Sequence, residues 1–200
     1  MTTIVTPVLA PFQPPLGPQP ASPILYSAEQ VVLRMKEKVW SLSGDDFTVQ
    51  TVEGAHIMKV KGKLVSLHNK KKFVDMQNNE IFTLSEKKLK LNKTFHGEAP
   101  GAHNFEIKGH FSLGSSKSTV EFVNNTDRTT VELHVKGDWF DRTANITLGD
   151  RVVAQISRSF FNAREVLGDK QTYFVTVAPN VDLSLIAAIC VCLDERENES

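Results

Sequence analysis

Two hundred residues, 40% of them hydrophobic, are enough for one domain with a substantial core. Twenty-three basic and twenty-three acidic residues leave no net charge. That excludes a global field steering the chain toward nucleic acid or a bilayer, so an electrostatic partner has to be met by a local patch.

Residues 1–23 hold seven of the nine prolines, which remove backbone donors and break regular structure. They are expected to form a disordered or polyproline arm. The arm has no basic n-region and its prolines interrupt any apolar helix, which argues against a signal peptide. Pro11 and Pro14 make a minimal PxxP, the pattern that docks in SH3-type grooves, so a protein partner is open here beside a plain linker. The sequons at Asn92, Asn124, Asn145 and Asn198 are read as chance, because glycosylation requires the secretory route.

From Tyr26 onward the chain reads as short alternating apolar runs punctuated by Gly, Asn and Asp, the pattern of strands and tight turns. SAEQVVLRMKEKVWSL offers both helical and alternating spacing, and the alternation of Val31, Leu33 and Met35 favours a strand. In IMKVKGKLV, Lys59, Lys61 and Lys63 share one face of an extended chain. FVDMQNNEIFTLSE (73–86) and NITLGDRVVAQISR (145–158) align without gaps as two similar hairpins. Segments of this kind fit an all-β barrel or sandwich.

Residues 59–93 carry ten lysines against Asp75, Glu80 and Glu86, a local charge of +7 that leaves the rest of the chain at −7. Within it, Lys59, Lys61, Lys63, Lys70, Lys71, Lys72, Lys87, Lys88 and Lys90 are candidates for holding an anionic lipid headgroup, since clustered ammonium groups suit phosphate. Strand lysines also protect edges and solubilise a sheet, and that use stays open. Aromatic residues do not interleave with them, which argues against single-stranded nucleic acid.

VDLSLIAAICVCL (181–193) is apolar on all sides apart from Ser184, so as a helix it must be enclosed. At about 1.5 Å per residue it spans about 20 Å, too short for the roughly 30 Å hydrocarbon core of a bilayer. Asp182 is placed to cap its N-terminus. Cys190 and Cys192 lie two apart, on opposite sides of such a helix, and are read as unpaired core residues of a chain from a reducing compartment. The acidic residues 196–200 are expected to leave the fold as a disordered tail.

The phrase GDRVVAQISR, followed by YFVTVAPNVDLSLIAAICVCLDE, resembles the LURP-one-related family, whose fold is similar to the tubby C-terminal domain and to phospholipid scramblases. The matching positions are Gly149-Asp150 with Val152, Val153, Ala154 and Ile156, then Val177, Pro179, Val181 and Asp182, then the helix closing on Asp194 and Glu195. FTVQTVEGAHIMKV and KFVDMQNNEIFTLSEKKLKL resemble its early strand pair and middle hairpin. The resemblance covers about residues 24–195. It implies a mainly β domain, a closed antiparallel β-barrel of about 12 strands enclosing the hydrophobic C-terminal α-helix.

For function the resemblance implies less, since one fold hosts several activities. Tubby relatives bind phosphoinositide headgroups through surface lysines and arginines. Scramblases use calcium and palmitoylated cysteines, but this chain has no cysteine-rich segment and no D-x-D-x-D-G loop. Six histidines show no metal-ligand spacing, and no nucleophile elbow, phosphate loop or dinucleotide fingerprint occurs. Asp45-Asp46 read as a solvated turn. The expectation is a non-catalytic, monomeric, cytoplasmic binding module without cofactor or metal, peripheral at phosphoinositide-bearing membranes. The competing expectation is a soluble protein-interaction scaffold.

Overall fold

A computed structural model of the chain describes residues 7–36, 47–62, 70–88, 93–110, 116–138, 143–157 and 172–197. Within these, strands β1 (Val31–Lys36), β2 (Phe47–Thr51), β3 (His56–Gly62), β4 (Lys71–Val74), β5 (Glu80–Lys88) and β6 (Lys93–Glu98) precede β7 (Phe105–His110), β8 (Ser116–Val123), β9 (Thr130–Asp138), β10 (Thr143–Leu148), β11 (Arg151–Ser157) and β12 (Thr172–Val177). Each strand pairs antiparallel with its sequence neighbours. β1 closes the ring against β12, from Val31 opposite Val177 to Lys36 opposite Thr172. Closure leaves the sheet without an unpaired edge strand. The twelve-stranded barrel and the strand reading of Val31–Lys36 are both as expected.

Alternation decides which side chains enter the lumen. In β3, Met58 and Val60 are buried while Lys59 and Lys61 are half-buried on the outer face. The two echoing segments are the hairpins β4–β5 and β10–β11, each with one register shift. Inside, Phe73 stacks on Phe82 at 4.3 Å between centroids, and Phe82 meets Phe105 edge-on at 5.0 Å. Gly97 lies opposite Phe105. A Cβ there would sit 2.2 Å from the ring, so only glycine leaves it room.

The helix α1 (Leu183–Glu197) threads this lumen, and every residue from Val181 to Asp194 is buried. A helix without a polar face finds its apolar partners on all sides here, each Leu, Ile or Val contributing about 1.5–3 kcal/mol. Asp182 caps it as expected: Oδ1 accepts from the backbone amides of Ser184 (2.9 Å) and Leu185 (3.3 Å). Cys190 and Cys192 are buried and form no disulfide. The helix also runs through Arg196 and Glu197, so the chain does not leave the fold at residue 196. Residues 198–200 lie outside the described part.

The barrel has two unlike ends. Residues 52–55, 75–79, 99–104, 124–129 and 149–150 turn at the end where α1 begins. The expected disordered or polyproline arm is, over residues 7–23, a strap laid across that end. Leu9, Phe12 and Leu16 are buried. The amide of Phe12 donates to Pro179 O (3.1 Å), that of Leu16 to Asn180 O (2.9 Å), and Asp182 N donates back to Leu16 O (3.0 Å). Proline keeps its carbonyl while losing its amide. The interspersed Leu, Phe and Gly residues supply the missing donors and the apolar anchors.

Candidate functional site

Register across β3 to β6 builds the candidate site. Lys61 lies opposite Lys72, Lys72 opposite Thr83, and Thr83 opposite Glu98, so one outward row crosses four strands. With Lys70 and the β6–β7 turn, this row borders a groove of about 600 Å³ that also takes in Glu80, Ala99, Pro100 and Asn104. Two lysines directly opposite each other repel, and local acceptors relieve them. Lys72 Nζ meets Glu80 Oε2 at 2.5 Å, and Lys61 Nζ donates to Asn78 Oδ1 at 3.0 Å. Glu80 also accepts from Thr83 Oγ1 at 2.8 Å. The Lys72 bond, then the Thr83 bond, hold its carboxyl below the usual range. Three cations face two carboxylates, a weakly positive groove.

The nine candidate lysines do not share one surface. Lys61, Lys70 and Lys72 meet in the groove, and Lys59 stands beside them on the outer wall opposite Val74. Lys87 is exposed in a neighbouring cleft of about 430 Å³ bordered by Glu98, Glu106 and Glu121. There Lys108 donates to Glu121 at 2.7 Å and approaches Glu106 at 3.3 Å, and the Glu121 bond first of all pushes its ammonium upward in pKa. Lys63, Lys90 and the side chain of Lys88 lie outside the described residues.

Lys71 corrects the surface reading. Lys70 to Lys72 read in sequence as extending a turn, but β4 begins at Lys71, and Phe73 faces the lumen, so Lys71 two positions earlier faces it too. Its ammonium pairs with Glu195 in the last turns of α1, while Lys93 Nζ reaches Glu195 O at 3.5 Å. Cations at this place complement the negative end of the helix dipole. Next to them Tyr173 donates to Asp194 Oδ2 at 2.8 Å. Burial, then the Asp194 charge, pushes the Cys190 thiol up and leaves it a poor nucleophile.

At the other end the strap converges on Asp182. Its Oδ2 lies 3.3 Å from Gln19 N and 3.5 Å from the Tyr26 hydroxyl, which donates to Gln19 O at 2.7 Å. Gly17 passes so close that a Cβ would fall 2.3 Å from Asp182 Cβ. Asn124, one of the sequons, is buried, and its Oδ1 accepts from Gly17 N at 2.9 Å. Composition concealed this set, but the Leu9, Phe12, Leu16 spacing among prolines was its visible trace. The PxxP is therefore half used: Pro11 O accepts from Arg151, whose guanidinium lies 3.9 Å over the Phe12 ring.

Among the described residues, no three His, Cys, Asp or Glu converge in a metal-holding group, and no helix is long and apolar enough to cross a membrane. Asp45-Asp46 lie outside them. Residues 31–194 match a family model described as LURP-one-related. Protein LURP-one-related 10 of Arabidopsis thaliana is 28% identical over 187 residues, 89% of this chain and 96% of the relative. Protein LURP-one-related 15 of the same plant is 30% identical over 182 residues, 87% and 82% respectively. An X-ray structure of an Arabidopsis thaliana protein is similar with a TM-score of 0.55 at 21% identity, covering 88% of this chain and 96% of that one.

Proposed function

The chain belongs to the LURP-one-related family, and from that premise we propose that it is a non-catalytic, cytoplasmic binding module recruited to phosphoinositide-bearing membranes through the groove of Lys61, Lys70 and Lys72. The supporting observation is the register that sets Lys61 beside Lys72 at the rim of a groove roomy enough for a sugar-phosphate headgroup. Each lysine near an anionic surface contributes about 1 kcal/mol, so three give weak, salt-sensitive recruitment. Glu80, Glu98 and Asn104 are acceptors for headgroup hydroxyls.

The test is co-flotation with vesicles with and without phosphatidylinositol 4,5-bisphosphate, comparing wild type with K61E/K70E/K72E. Lys71 stays native in this variant, because its partner is Glu195. Phosphoinositide-dependent flotation that is lost in the variant and at high salt is the expected result. A folded wild type that never floats sinks the reading. It then favours the second one, a soluble protein-interaction scaffold whose groove lysines serve solubility, a role consistent with the Lys72–Glu80 ion pair.

A further inference from the structure

The strap sits on the barrel as a peptide sits in a groove. Leu9, Phe12 and Leu16, spaced three and four apart, are 9%, 3% and 4% exposed, while Ala10, Pro11, Gln13 and Pro14 between them face solvent. Main-chain bonds fix its direction: Leu16 bridges Val181 in parallel, and Phe12 N and Leu16 N donate to Pro179 O and Asn180 O. Side-chain anchors with main-chain pairing between them are how extended peptides are recognised on folded domains.

Several of the bonds that hold the seat run within the barrel itself. Ala178 N is held by Val153 O (3.0 Å), Asn180 N by Ser27 O (2.7 Å), and Arg128 N by Asn124 O (2.9 Å). Asp182 keeps its bonds to Ser184 and Leu185 through Oδ1, the oxygen the strap does not touch. The strap joins the barrel through Pro20, Ala21 and Pro23, all exposed. Such a short tether gives the strap a millimolar-scale effective concentration at its own seat.

We propose that this end of the barrel is a docking site for an extended segment patterned aliphatic-x-x-aromatic-x-x-x-aliphatic. Residues 7–19 are its resident occupant, and a partner protein's segment of the same pattern takes the seat when the strap is displaced. The groove's lysines lie elsewhere, on or beside β3 and β4.

The experiment severs the tether in the full chain. A protease recognition sequence is inserted between Pro20 and Ala21, the purified protein is cut, and a fluorescent synthetic peptide of residues 7–20 is added. The freed N-terminal fragment is expected to stay with the barrel and to exchange with the labelled peptide saturably. A peptide carrying Phe12→Ala should bind roughly a hundredfold more weakly, and the uncut chain should take up no label at the same concentrations. Three results overturn the proposal: a cut barrel that stays folded by circular dichroism yet binds no peptide at millimolar concentration, one that unfolds on cutting, or equal labelling of cut and uncut chains.

Discussion

Replacing Lys71 by methionine isolates the charge pair that ties α1 to the wall. Lys71 and Glu195 are only 10% and 15% exposed at their side chains. Methionine keeps most of the volume and apolar contact of the lysine but leaves Glu195 without that ammonium, at the negative end of a helix dipole. Removing one partner of a buried pair costs about 3–5 kcal/mol, and the residual exposure puts the expected loss near the lower figure, about 3 kcal/mol. Lys70→Met is the control: its side chain is exposed, and such a surface change stays within about 0.5 kcal/mol. Urea unfolding followed by far-ultraviolet circular dichroism reads both differences. A double replacement with Glu195→Met should recover much of the loss, because both buried charges leave together. Equal stability of the Lys71 and Lys70 variants would refute the inward placement of Lys71 and return the three lysines to one surface.

Asp182 gives the chain a pH signature, since burial raises its carboxyl from 3.8 to about 6 against the opposing bonds of Ser184, Leu185 and Gln19. The folded state therefore holds this proton more tightly than the unfolded chain, and the group's contribution to stability falls as pH rises from about 4 through about 6. Over that window wild type should gain up to about 3 kcal/mol on Asp182→Asn as pH is lowered, read by urea unfolding at each pH. A gap that stays constant with pH contradicts this. Gly17→Ala should lower the melting temperature by several degrees, because its Cβ has no room beside Asp182 and Tyr26; an unchanged melting curve counts against the seated strap. Neither Cys190 nor Cys192 should react with iodoacetamide in the folded protein, while both should in urea, as mass spectrometry would show.

Much of the architecture was written in local pattern. Alternation in IMKVKGKLV put Met58 and Val60 inward and Lys59 and Lys61 outward, and the all-round apolar character of residues 181–193 required an enclosed helix. Asp182 was legible as a cap, because capping depends on neighbours two and three residues away. The resemblance supplied barrel closure, which no short-range pattern encodes. The site was less legible. Nine lysines looked like one basic surface by charge count, yet strand phase sent Lys71 into the lumen, and cross-strand register sent Lys87 to an acidic cleft.

What the sequence determined by itself is therefore what is local: which segments alternate, which helix has no face for water, and where its first turn begins. Tertiary structure decided the rest, because each deciding partner is distant along the chain. Glu195 claims Lys71 across the barrel, Glu80 claims Lys72 across a hairpin, and Asn124 and Asp182 hold a strap that composition alone would leave in solvent. Proline content measures what a backbone cannot donate. Whether its carbonyls and the leucines between find a seat depends on a surface that exists only once the barrel has closed.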